Sequence, residues 1–315
     1  TPTAVDLGDL LFPGDLVARC AAALNAGKHL LLVGPPGTGK SRLALALAAH
    51  AHRLGSCDDE PLLATASADW TTYETIGGWA QRRDQHLYFR EGVFSRALRE
   101  GRWLVLDEIN RADVDKCFGE LLTALAGSGT VETVYTVEER GRDVPVRLGP
   151  DSEPYNFGGW FRLIATMNLR DKASLFRLSY AFMRRFAVIY VPGLADADLR
   201  ALAEREGRRL GAPETVWSFA HICLSQSAGI GKHVELGPSL LRDLIAYASE
   251  RGGPPRRAVG EGLGQLVFPQ LEGLGEAAAQ DADAQLGVLF DGDPVLRDEL
   301  RRELRSYFPH LGTRR

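Results

Sequence analysis

Cysteine is scarce in this chain, and the four present are scattered. Cys20, Cys57, Cys117 and Cys223 form no Cys-x-x-Cys pair, and no histidine cluster joins them at zinc-ligand spacing. That argues against a zinc ribbon or a thioredoxin-type redox motif, and leaves reduced thiols in a cytoplasmic protein as the expectation. No apolar run approaches the ~18 residues of a membrane span, and no secretory signal pattern opens the chain. Positive charge is not in excess either. Lys and Arg number 37 against 41 Asp and Glu, for a net charge of −4, so no global field draws the chain to nucleic acid. The arginines near the end (Arg301, Arg302, Arg305, Arg314, Arg315) read as a solvated helix face. Repeats with a period of ~20–50 residues and low-complexity tracts are missing. His50 and His52 stand two apart on a predicted helix, so they share no face and make a poor metal pair.

What is present fits a soluble globular protein. The 315 residues are 45% hydrophobic and 25% charged, enough for about two domains. The chain opens on Thr1 rather than Met, which leaves open whether the native chain is longer. Up to about residue 192, helix and strand patterns alternate. Asp15–Leu24 is an amphipathic helix, and Ser41–Leu54 a second helix rich in Ala and Leu. Short apolar runs at His29–Val33, Leu62–Ala66, Arg102–Leu106, Phe161–Thr166 and Phe186–Val191 predict strands buried on both faces. Together these predict a doubly wound parallel α/β sheet over residues 1–192. Val131, Thr133, Tyr135 and Val137 alternate before a Gly-Arg turn, which predicts a hairpin within about 130–157. Beyond Gly193 the strand signal stops. Helices are expected at Asp196–Leu210, Pro213–Ser227, Pro238–Arg251, Gly262–Leu274 and Pro294–Phe308, an all-helical second part over 193–315. Gly252-Gly253-Pro254-Pro255 reads as a breaker, and Ala277–Ala284 as a loop or a weakly held helix.

The chemistry concentrates at strand ends. Gly34-Pro35-Pro36-Gly37-Thr38-Gly39-Lys40-Ser41 lies between the first strand and its helix, the context a phosphate-binding loop requires. Backbone N–H groups of such a loop wrap a polyphosphate, and the helix N-terminus adds positive potential. Lys40 is placed to reach the phosphates and the Ser41 hydroxyl to bind Mg²⁺. Asp107 and Glu108 end the Trp103–Leu106 run. Asp107 suits the Mg²⁺ shell, and Glu108 suits orienting and deprotonating an attacking water. Asn168 ends the next strand, where its amide can reach the water or the γ-phosphate. Arg184 and Arg185 precede the last strand, and a guanidinium there offers bidentate contact to phosphate oxygens. They lie far from the loop in sequence, so in a ring they would serve a neighbouring subunit.

In this order the motifs resemble the AAA+ ATPase superfamily: a P-loop NTPase core followed by a helical lid. The likeness is nearest to the branch with an insert in the second helix, which includes MoxR-type and McrB-type proteins. Asp107-Glu108-Ile109-Asn110-Arg111-Ala112 matches a signature of both. Phe118–Leu122, Ala165–Asp171 and Tyr180–Phe186 are McrB-like, while Thr71–Gly78 with Phe89–Gly92 resembles the insert (about 70–90) and its flanks. The resemblance implies a hexameric homo-oligomer with ATP, or GTP as in McrB, at subunit boundaries. It makes Lys40, Ser41, Asp107 and Glu108 the Walker residues, Asn168 the first sensor, and Arg184 or Arg185 the arginine finger. The segments Tyr73–Tyr88 and Thr130–Asn156 would face a pore or client. Two departures stand out. The basic residue after Asp171 is Lys172, so that part of the pattern is kept in charge only. Pro238 is followed by Ser239 where MoxR-like lids carry the second-sensor Arg, leaving Arg242 as the substitute one turn on.

Three functions compete on these grounds: an NTP-driven remodeller of a protein client, a nucleotide-gated scaffold, and a McrB-like motor that reaches a nuclease or nucleic acid through a partner. The complete set of strand-end residues favours the first. The acidic balance disfavours direct work on nucleic acid, and no membrane role is expected. The tryptophans Trp70, Trp79, Trp103, Trp160 and Trp217 read as core or interface packing rather than a base-stacking platform.

Overall fold

Strand β1 (His29–Gly34) is buried along its whole length. A strand with no exposed face needs cover on both sides, and a parallel sheet flanked by helices supplies it. The computed structural model describes residues 5, 7–8, 10–12, 14–83, 85–119, 121, 125, 129–139, 142–150, 152–156, 158–168, 178–233, 236–272 and 275–308. Several residues of the expected motifs lie outside these: Glu120, Leu122, Leu169–Asp171, Lys172 and the terminal Arg314 and Arg315.

The chain forms two compact units. The first comprises Thr1–Leu10, Gly14–Gly34 and Lys40–Val191, and the second Leu11–Pro13, Pro35–Gly39 and Pro192–Arg315. In the first unit the strands in chain order are β1, β2 (Asp59–Thr65), β3 (Gly77–Gln81), β4 (Leu87–Glu91), β5 (Arg102–Asp107), β6 (Val131–Glu139), β7 (Arg142–Leu148), β8 (Leu163–Asn168) and β9 (Phe186–Tyr190). Five of them make one sheet in the order β2-β5-β8-β1-β9, every neighbour parallel. This is the parallel α/β sheet expected from the apolar runs. Helix α1 (Leu16–Asn25) precedes β1, and α2 (Lys40–Arg53) follows the glycine-rich loop. Gly34 is required at the loop's entry, because a Cβ there would lie 2.2 Å from the Val191 carbonyl oxygen.

Two hairpins stand apart from the main sheet. β3 pairs antiparallel with β4, and β6 with β7. The first is entered through helix α3 (Thr72–Thr75), whose capping box joins Thr71 to Glu74. Thr75 Oγ1 then donates to the Cys117 carbonyl (2.5 Å), fixing α3 against helix α5 (Val114–Phe118). Helix α4 (Val93–Arg99), buried through Phe94, Ala97 and Leu98, leads back to β5.

The second unit is helical beyond Pro192, with a core that includes Leu202, Leu241, Leu244, Val259, Phe268, Leu286 and Phe290. Two expectations shift there. Ala277–Ala284 belongs to a regular helix, Glu276–Leu289. Ala279, Ala282, Leu286 and Leu289 bury one face of it, at the three-to-four residue spacing that small side chains masked. Its buried Asp283 takes hydrogen bonds from Arg301 and Arg305 of the last helix. The helix expected from Gly262 already begins at Pro255 and passes through a π turn at Leu263–Val267. Proline is tolerated in the first helical turn, so Pro255 starts a helix rather than breaking one.

His29 opens β1, is 8% exposed, and accepts the Leu163 N–H at Nδ1 (3.1 Å). Burial first, then the charges of Arg162 and Lys28, lower its pKa from 6.5 to about 3. Below about pH 6.5 the unfolded chain therefore takes up a proton that the folded chain refuses. Stability is complete above that value and falls as the pH drops toward 3. Melting curves between about pH 4 and 7 should show a loss of several kcal/mol across the window. His29→Leu should flatten that slope, and an unchanged slope would place the acid sensitivity elsewhere.

Candidate functional site

The loop after β1 turns on two left-handed glycines, Gly37 (φ +73°) and Gly39 (φ +84°), a conformation side chains resist. Thr38 Oγ1 braces it by donating to the Pro35 carbonyl (3.0 Å). Pro35 and Pro36 hold the chain stiff at its entry. Within the second unit, the Ser239 N–H donates to the Gly37 carbonyl at 3.4 Å.

Helix α2 begins at Lys40, so its unsatisfied N–H groups open onto the loop. Lys40 is only 5% exposed, and its Nζ donates to the Gly34 carbonyl (3.1 Å). Burial lowers the ammonium pKa to about 8, against the opposing pull of Asp107 and Glu108. Its place at the first turn of α2, where helix N–H groups are unsatisfied, suits it to bind an anion.

Parallel registry brings the strand ends level. Gly34 of β1 sits beside Asn168 of β8, and Leu106 of β5 beside Ala165 of β8. The next residues, Asp107 and Thr166, then meet. Asp107 Oδ1 accepts from Ser41 Oγ (2.5 Å) and from Thr166 Oγ1 (2.5 Å). Thr166 Oγ1 in turn accepts the Glu108 N–H (3.1 Å). Glu108 adopts a left-handed backbone (φ 54°, ψ 46°), which costs a non-glycine residue on the order of 1 kcal/mol or more. Its side chain is held from two sides. Asn168 Nδ2 donates to Oε1 (3.2 Å), and Arg111 forms an ion pair with Oε2. Asn110 closes the group by donating to the Asn168 carbonyl (3.4 Å).

The donor set suits a hard divalent cation. Ser41 Oγ and Asp107 Oδ1 converge on one point, and Mg²⁺ takes one or two protein oxygens while keeping water and phosphate for the rest.

Arg184 and Arg185 are not brought to this group. The His29 N–H bonds the Arg185 carbonyl, and Phe186 pairs with His29, so both arginines stand at the opposite end of β1 from Gly34. At ~3.3 Å per residue the separation along the strand is about 17 Å, beyond an arginine's reach. Arg184 is exposed, with no ion-pair partner among the described residues. Arg242 lies in the second unit, where it ion-pairs with the buried Glu206 (3.5 Å). Thr166 and Arg111 are participants that the motif reading passed over. Thr166 had a signal: it precedes Asn168 by two, so both share one face of β8, and it is a hydroxyl in an apolar run.

A family profile for the AAA domain of the dynein-related subfamily matches residues 29–186. The chain belongs to this family. It is an AAA+ ATPase of the MoxR/McrB type, an ATP-hydrolysing P-loop enzyme. The uncharacterized protein YojN of Bacillus subtilis (strain 168) is 28% identical over 251 residues, covering 76% of this chain and 73% of that protein. The Type IV methyl-directed restriction enzyme EcoKMcrB subunit of Escherichia coli (strain K12) is 27% identical over 207 residues, 62% of this chain and 42% of that one. This AAA chain thus spans less than half of the restriction subunit. In fold alone it is similar to the crystal structure of NtrX from Brucella abortus, with a TM-score of 0.50 at 17% identity over 95% of this chain and 69% of that one.

Thr166→Val keeps the shape of a side chain that is 1% exposed but leaves the Glu108 N–H and Asp107 Oδ1 short of a partner. Thermal or denaturant melts should show a loss of about 1–3 kcal/mol. ATP affinity should stay within about threefold while turnover falls at least about tenfold, since the Glu108 backbone loses the acceptor that fixes it. Wild-type turnover in this variant would remove Thr166 from the positioning of Glu108.

Proposed function

We propose that this ATPase works as a closed ring of identical subunits, six by the family resemblance, and couples hydrolysis to remodelling a protein client. One observation carries the reading. Glu108 and the arginines Arg184 and Arg185 lie at opposite ends of the same parallel sheet, so a chain cannot apply its own arginines to its own loop. A heterologous ring, in which unlike surfaces meet, is the arrangement that sets one end against the other.

In that reading each side chain has one task. Lys40 and the loop from Gly34 to Gly39 take the phosphates. Ser41 and Asp107 hold Mg²⁺, which when bound neutralises phosphate charge. Glu108 accepts the proton of the attacking water, with Asn168 fixing the orientation of its carboxylate. Arg184 or Arg185 of the adjacent subunit offsets the charge that develops on the transferred phosphoryl group. The client is a protein with apolar segments. Support comes from large apolar side chains left exposed on the two hairpins: Trp79 (45%), Leu87 (65%) and Val134 (81%). The restriction-enzyme relative raises a nucleic-acid role, but a net charge of −4 supports reaching nucleic acid only through a partner.

The Arg111 contact supports a second reading, that of a nucleotide-gated scaffold with slow turnover. An ion-paired glutamate is a poor base until its partner is drawn away.

Steady-state ATP and GTP hydrolysis per subunit, followed against protein concentration, separates the two. The ring predicts a rate that climbs and then saturates; a flat, near-zero rate supports the scaffold. Glu108→Gln should lower turnover by about 10²–10⁴ with nucleotide binding intact. Replacing both Arg184 and Arg185 with Ala should cost about 10³–10⁵. Mixing the two inactive proteins should restore part of the rate, because some boundaries then join an intact Glu108 to an intact arginine pair. No recovery on mixing would sink the shared site.

A further inference from the structure

The first unit holds a cavity of about 480 Å³ that the ATPase chemistry does not use. It lies at the far end of α2 from the phosphate loop. Ala51 near the end of α2, Leu54 just after it, Leu24 from the end of α1, Trp103 from the start of β5, and Trp160 with Arg162 from the segment before β8 line it. Helix α2 runs 14 residues from Lys40 to Arg53, about 20 Å, so cavity and loop are separate places.

The wall mixes apolar side chains, Leu24, Leu47, Leu54, Trp103 and Trp160 among them, with polar groups. Among the described residues lining it, Arg162 is the one side chain that always carries a charge. Its hydrogen bonds all end on neutral carbonyls: Nε on Leu24 (3.1 Å), and Nη1 on Gly159 (2.7 Å) and Phe161 (2.8 Å). It forms no ion pair among the described residues, whereas Arg99, Arg102, Arg147 and Arg301 each have a carboxylate. Burial lowers its pKa. His50 also lines the cavity, and burial lowers its pKa, which favours the neutral imidazole and leaves the positive charge to Arg162. A half-buried guanidinium without a carboxylate is costly, and an anion that brings its own apolar body relieves the cost. Arg is also the side chain whose planar fork fits a carboxylate. The volume falls in the range of small-molecule sites, which are apolar with a few polar groups that fix orientation.

We propose that this cavity is a second ligand site, which binds a small apolar carboxylate through Arg162 and the apolar wall around Trp103, independently of the nucleotide.

The test uses the full chain with saturating ATP and Mg²⁺, and ligand-observed NMR titration. The probes are 3-phenylpropionate, indole-3-acetate and hexanoate, with 3-phenylpropanol as the uncharged twin of the first. At least one acid should bind, at least about tenfold tighter than the alcohol, as one charge-assisted contact implies. Saturating ATP should leave its affinity unchanged. Arg162→Gln should weaken it about tenfold or more. Because Arg162 also braces three carbonyls, a second variant guards against a folding defect. Ser56→Phe changes an exposed lining residue and fills the cavity from outside, and it should abolish acid binding while ATP turnover stays at the wild-type rate. Equal binding of acid and alcohol, binding that survives Ser56→Phe, displacement by ATP, or no binding of any acid up to about 10 mM would each overturn the proposal.

Discussion

One carboxylate oxygen organises the strand-end group. Asp107 Oδ1 accepts both the Ser41 and Thr166 hydroxyls, each at 2.5 Å. Ser41 belongs to α2, Asp107 ends β5 and Thr166 lies on β8, so one acceptor ties three elements together. Charge-assisted bonds of this kind are short and strong, and here they stand on Leu32, Leu106 and Ala165, all fully buried. Thr166 relays the constraint to the Glu108 backbone. The arrangement depends on registry. A slip of one residue in β8 would turn Thr166 and Asn168 to the other face of the sheet and dissolve the group.

The same registry separates functions along the strand axis. The C-terminal ends of β1, β5 and β8 carry the loop, the carboxylates and Asn168, as open parallel sheets generally place their ligands. The N-terminal ends carry Arg184 and Arg185 on one side and the Trp103 cavity on another. A strand six residues long is therefore a spacer as well as a core element. It keeps the arginine pair away from its own loop and available to whatever meets that end of the sheet.

Much of the sheet could be read before any coordinates, because a doubly buried strand leaves an unambiguous trace. Leu30 to Val33, Leu104 to Leu106 and Leu163 to Ala165 are continuous apolar runs between turn signals, and each is a strand of the parallel sheet. Signals faded where burial was achieved with small or polar residues. Ala279, Ala282 and Asp283 face a core, yet in sequence they look like solvated filler. Pro255 looked like a stop and is a start. At the strand ends the identities of Lys40, Ser41, Asp107, Glu108 and Asn168 were legible from the motif, but their contacts were not. Nothing in the Asp-Glu pair announces that Glu108 takes a left-handed backbone or that Arg111, one helical turn on, closes on its carboxylate.

Arg242 shows why position alone is a weak guide to role. Glu206, 3% exposed inside the helical unit, pairs with Arg209 (2.7 Å), Arg242 (3.5 Å) and Arg205 (3.9 Å). A carboxylate so deeply buried must be neutralised, and taking away a partner costs far more than forming the pair gains. A second-sensor role for Arg242 would set phosphate against Glu206 as rival acceptors for one guanidinium. Arg209 and Arg205 would be left to carry the difference, and their side chains are 64% and 40% exposed, where water screens their charge. Glu206 therefore sets the threshold for any such movement. The sequence departure at Ser239 and this internal pairing point the same way: Arg242 serves first to hold the helical unit together.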